Sequence, residues 1–145
     1  MREILFKAKR TDSDTWIEGN LLTFDSRRYI INDIETIYYC PQCDREETRE
    51  VWFAVIPETV SQFTGLYDKN GVRIFENDIV RYTDLAFNPN IGRFENMIFT
   101  SAVTYNLDNG CFSPFEPDTF ESYIRAENVE VIGNRFDNPE LLKGK

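Results

Sequence analysis

The sequence contains no histidine, only three cysteines, and no cluster of Lys or Arg. Each absence removes a class of function. Without histidine, a general base working near neutral pH would have to be a strongly shifted carboxylate or lysine, and no nucleophilic triad can be drawn. Three thiols is an odd number, and two of them, Cys40 and Cys43, are close together. That does not look like a secreted disulfide framework. The glycines form neither GxGxxG nor the Walker pattern, so the usual phosphate cradle is missing. No apolar run approaches the roughly 18 residues of a membrane-crossing helix. The first ten residues alternate in character and lack the apolar block of a signal peptide. These absences predict a cytoplasmic protein with no membrane partner. Without a basic cluster to neutralise phosphates, a broad nucleic-acid-binding face is disfavoured.

What is present favours β structure. The chain has 145 residues, enough for one domain or two small ones sharing a core. Hydrophobic residues make up 41% of it, an ordinary share for a globular core. Aromatics reach 14%, with twelve Phe and seven Tyr, and such side chains favour strands. The formal net charge is −9, divided as −4 up to residue 64 and −5 after it. Acidity spread in this way reads as a soluble, self-repelling surface. An acidic mimic of nucleic acid is the sharper alternative.

Along the chain, residues 2–9 read as a strand and Thr11–Asp14 as a turn. Thr15–Phe24 resumes β character, with Gly19 a candidate bulge. Tyr29–Asn32 and Glu35–Tyr39 are further strand candidates, rich in β-branched and aromatic residues. Residues 40–50 are polar and read as an exposed loop or hairpin tip. Val51–Ile56 has the length of a buried strand and stops at Pro57, which lacks an N–H for the ladder. Residues 58–64 suggest a single helical turn.

Residues 65–80 hold the clearest turns. Asp68-Lys69-Asn70-Gly71 is a hairpin signal in which both Asn70 and Gly71 are expected at positive φ. Val72–Phe75 is the return strand, Glu76-Asn77-Asp78 a second tight turn, and Ile74 and Ile79 are expected to point inward. Residues 83–96 read as a long polar loop or extended hairpin, and Met97–Tyr105 as a strand. Asp118 is placed to cap a short helix over 119–125, with Phe120, Tyr123 and Ile124 as its apolar stripe. Asn128–Asn134 is the last strand, followed by a terminal turn with Asn138 as cap and Pro139 at its first position. Many short strands between turns predict a barrel or roll with little helix. The expected division is an N-terminal β-hairpin or meander over 1–64 and a barrel subdomain over 65–145, with one continuous unit as the alternative.

Three groups of residues invite a chemical reading. Cys40-Pro41-Gln42-Cys43 has zinc-knuckle spacing, but a structural zinc needs four ligands. Cys111 and a carboxylate such as Asp44 would have to complete the set, so Cys40, Cys43 and Cys111 are weak metal candidates. Reduced thiols in a loop are the favoured reading, with a redox pair as the alternative. Glu76 and Asp78 form a carboxylate pair of the acid/base type, although turn chemistry explains both positions. Phe94, Phe99, Tyr105, Phe112, Phe115, Phe120 and Tyr123 offer stacking surfaces for single-stranded nucleic acid, and equally a core or a subunit interface.

Residues 55–82 and 128–142 resemble the YopX family of phage and prophage proteins. The resemblance rests on Val55–Gly71, Ile74–Val80 and Val131–Leu142, supported by Ile4–Arg10 and Trp16–Leu21. Ser61 and Asn77 stand where the family usually has Gly, and the Cys-containing 40–50 segment is outside its pattern. The resemblance implies an SH3-like small β-barrel in the second half, a phage or prophage origin, and no assigned activity, hence no catalytic residues to carry over. The expected function is a non-enzymatic interaction or self-assembling module with no cofactor. Its partners would be further copies of itself or an unknown phage or host protein. A nucleic-acid-associated protein and a zinc-stabilised module are the alternatives.

Overall fold

The computed structural model describes residues 3–43, 45–116 and 124–143, with the backbone alone for 31–40 and 46–50. The chain is mainly β, and its helical content among these residues is limited to short 3-10 turns. It divides into two compact units, Met1–Gln62 and Phe63–Lys145.

The N-terminal unit is an antiparallel meander. Strands β1 (Phe6–Lys9), β2 (Trp16–Phe24), β3 (Arg27–Cys40) and β4 (Arg45–Ala54) lie in the order β4-β3-β2-β1. The two strand candidates at 29–39 are one strand, β3, whose ladder with β4 slips between Ile31 and Asp33 and between Thr36 and Tyr38. Gly19 pairs in step with Phe6, so the bulge expected there is absent and the irregularities fall in the long β3–β4 ribbon instead. The segment read as a loop or tip at 40–50 is the end of that ribbon. Alternation puts Ala8, Ile17, Ile30 and Val55 on one face, where they are buried with Phe6, Leu21, Phe53 and Val60 packed around them. The single turn expected over 58–64 shortens to a 3-10 turn at Pro57–Thr59. The Thr59 hydroxyl fixes it, donating to the Ile56 carbonyl at 2.7 Å and accepting the Lys9 N–H at 2.9 Å.

Strand β5 (Ser61–Tyr67) begins by pairing with β1 and carries the chain onward. In the second unit its later part pairs with β6 (Arg73–Phe75). Five residues of β5, Phe63 to Tyr67, oppose three of β6 here, and Gly65, at φ 87, absorbs the surplus in a conformation that a Cβ would strain. Strands β7 (Asp78–Asn88), β8 (Arg93–Ala102) and β11 (Glu130–Asn134) form a sheet in the order β11-β7-β8, and β9 (Thr104–Asn106) pairs with β10 (Cys111–Ser113). The core is Ile74, Val80, Val103 and Val129, with Tyr82, Phe112, Phe115 and Val131 against it. Burial of each aliphatic side chain contributes about 1.5–3 kcal/mol. Ile74 and Ile79 both point inward, as expected.

The SH3-like barrel expected for 65–145 is not closed. Among the described residues β8 pairs only with β7, and its outer edge meets no strand. The physical reason is length. β7 and β8 run eleven and ten residues, whereas β11 covers β7 only from Asp78 to Arg81. Beyond that point, over 82–99, the two strands continue as a two-stranded arm. The segment 83–96 takes the extended-hairpin form of the two expected. The helix expected over 119–125, including Phe120 and Tyr123, lies largely outside the described residues. At the end of the chain Pro139–Leu142 forms the expected turn, but Asn138 does not cap it with its side chain. Its Oδ1 instead accepts the Asn134 N–H at 3.3 Å, and a Cβ at Gly133 would meet that oxygen at 2.5 Å.

Candidate functional site

Two of the charged residues of 65–80, Asp68 and Asp78, are held by the backbone. Asp68 is nearly buried, and its carboxylate accepts three N–H groups: Asn70 at 2.8 Å, Val72 at 2.9 Å and Val131 at 3.0 Å. Burial pushes its pKa up, but these backbone bonds together outweigh burial and hold it below the ordinary Asp range. The carboxylate also explains the turn type. Gly71 donates to the Asp68 carbonyl and only Gly71, at φ 77, is left-handed, so the expected pair of positive φ values is reduced to one. Asp68 supplies by side chain what a tighter turn would supply by backbone.

Of the carboxylate pair Glu76 and Asp78, the second behaves in the same way. Asp78 is buried and its Oδ2 accepts the Phe75 N–H at 2.9 Å. Between them Asn77 stands at φ 70, the left-handed turn position expected of it, and its Oδ1 accepts a bond from Arg135. Burial raises the pKa of Glu76, and the positive charge of Arg135 opposes the shift.

Cys43 is exposed at the tip of the β3–β4 ribbon. Cys111 sits in β10 of the other unit, its thiol 3.6 Å from the Asn109 carbonyl. The Cys40 side chain and Asp44 lie outside the described residues, and among those described no three Cys, Asp or Glu side chains converge as metal ligands.

The aromatic set is dispersed. Phe99 stacks on Tyr82 at 5.8 Å, Tyr105 meets Phe112 edge-on at 5.2 Å, and Phe115 packs on the core. Phe94 lies apart, on the arm, where Phe87 meets it at 5.4 Å. Leu66, Phe115, Ile124 and Arg125 line a shallow depression of about 240 Å³.

The arm carries the feature that the sequence reading missed. Directly opposed residues of an antiparallel pair share a face. One face of the arm holds Thr83/Ile98, Leu85/Asn96 and Phe87/Phe94. Here Leu85 is 60%, Phe87 52%, Phe94 63% and Ile98 72% exposed. The other face holds Tyr82/Phe99, Asp84/Met97, Ala86/Glu95 and Asn88/Arg93, so it takes every Asp, Glu, Lys and Arg of the arm. The Asn88-Pro89-Asn90-Ile91-Gly92 tip is closed by bonds from the Ile91 and Gly92 N–H groups to the Asn88 carbonyl. Monomeric proteins rarely leave an apolar face of this kind open, and it is the kind of surface that proteins use for contact.

No helix among the described residues is long and apolar enough to cross a membrane. No curated protein matches the chain. Among solved structures it is similar to protein EF1440 from Enterococcus faecalis, at 28% identity and a TM-score of 0.61, with 99% of this chain and 100% of that one covered. The model of the family described as YopX protein matches residues 5–143. That span takes in both units, the buried-carboxylate turns and the arm, and the chain belongs to the YopX family.

Proposed function

We propose that this YopX-family protein is a phage or prophage accessory protein that works by contact, as a self-associating interaction module in the host cytoplasm, and performs no chemistry of its own. One observation carries the reading: four large apolar side chains stand open on a single face of the β7–β8 arm, with the arm's charges sorted to the opposite face. Of the carboxylate pair that a catalytic reading would need, Asp78 is engaged by a backbone N–H group in its turn. Sedimentation velocity of the purified full chain over a range of concentrations tests the reading. A concentration-dependent oligomer is expected, and a monomer at every concentration removes self-association from it.

A further inference from the structure

We infer that the occupant of the arm's apolar face is the same face of a second copy, with the two arms packed antiparallel about a two-fold axis near the Leu85–Asn96 pair. The inference rests on the self-association proposed above and gives it a place and a geometry.

Three observations support it. The first is area. With about 200 Å² for a large apolar side chain, the exposures of Leu85, Phe87, Phe94 and Ile98 leave about 500 Å² of apolar surface per copy. Two such faces bury about 1,000 Å² between them, close to the roughly 1,200–2,000 Å² of a stable interface. The polar rim of Thr83 and Asn96 on the same face adds to this.

The second is self-complementarity. In a two-fold contact residue i of one copy meets j of the other, and j meets i. From base to tip the face reads Thr83/Ile98, Leu85/Asn96, Phe87/Phe94. Antiparallel stacking sets each Phe pair over the partner's Ile98 and Thr83, and sets Leu85 and Asn96 over themselves. Large side chains then face small or aliphatic ones, and each Asn96 amide finds the other as a hydrogen-bonding partner.

The third is charge. Residues 63–145 carry 8 basic and 13 acidic side chains, a net −5, so two copies repel. This face carries no ionised group between Thr83 and Ile98. Contact there brings no like charges together, and antiparallel stacking sets the bases of the two arms at opposite ends of the contact. A partner selected by charge would instead require an acidic face, which this is not.

The test uses the full chain. Leu85→Asp with Ile98→Asp places carboxylates in the face without touching the core. We expect it to weaken dimerisation by about 100-fold or more in sedimentation velocity, with an unchanged thermal melt at a concentration that keeps both chains monomeric. In a chain with its cysteines replaced by serine, Asn96→Cys is expected to cross-link to a dimer with a short bismaleimide. Leu107→Cys, exposed on another turn, is expected to stay monomeric. A dimer that survives the double substitution, or that cross-links through residue 107 and not 96, overturns this interface and leaves self-association standing. A wild-type chain that stays monomeric overturns both.

Discussion

Within the second unit, two neighbouring stretches reverse the usual places of polar and apolar groups. Residues 65–80 bury the carboxylates of Asp68 and Asp78, and the arm at 82–99 exposes Leu85, Phe87, Phe94 and Ile98. The first reversal is complete within the chain, because both oxygens of Asp68 and the Oδ2 of Asp78 meet backbone N–H donors. The second is not, because nothing among the described residues covers Leu85, Phe87, Phe94 and Ile98. The contrast separates two meanings of an unusual residue. A buried charge whose partners are all present is part of the framework. An exposed apolar face without a cover is the feature on which the proposed contact rests.

The largest expected effect falls on the framework side. Asp68→Ala strands three N–H groups at once, and at about 1 kcal/mol each the chain should lose about 3 kcal/mol in urea unfolding. A loss below about 1 kcal/mol would move Asp68 from the framework to the idle surface. Acid provides the next test. The pKa of Asp68 is depressed on folding from an ordinary value of 3.8. Its contribution is therefore fully present above about pH 4 and lost as pH falls through the lower folded value. The drop in unfolding free energy between pH 7 and pH 3 should be smaller in Asp68→Asn than in wild type.

Asn77→Gly comes next. It relieves a left-handed φ of 70 but surrenders the 3.3 Å bond from Arg135, so a gain of about 0.5 kcal/mol is expected by the same unfolding assay. The smallest effect on stability should come from the arm. Leu85→Ser at a concentration that keeps the chain monomeric should shift unfolding by less than about 0.5 kcal/mol. A large shift there would mean that the arm's face is covered within the chain, and the comparison would collapse.

What could be read in the sequence follows the range of the forces involved. Turn chemistry is local, so the left-handed Gly71 and Asn77 and the inward Ile74 and Ile79 were legible. The family was legible for the same reason, since its longest motifs are turns and the strands beside them. The arm was half legible. Asp84, Asn88-Pro89-Asn90, Gly92 and Glu95-Asn96 gave it the composition of a loop, and that masked the alternation of Leu85 with Phe87 and of Phe94 with Asn96 and Ile98. Strand periodicity is the signal, and the composition leaves loop and extended hairpin both open. Barrel closure was not legible, because it depends on how far β11 reaches along β7. Nor was the role of Asp68, whose bond to Val131 spans 63 positions that no local pattern reports.

That bond has a consequence for the order in which the unit assembles. The β7–β8 arm closes through its own tip and needs nothing distant, so it can form as soon as residue 102 is available. Asp68 and the inner edge of β7 must wait for Val131 and the rest of β11. Closing so long a loop is entropically slow, and it comes after the arm has already shown its apolar face. During synthesis the arm's apolar face is therefore on display before the unit that carries it is locked. That interval exposes a nascent chain to aggregation if residues beyond 128 are delayed or cut away.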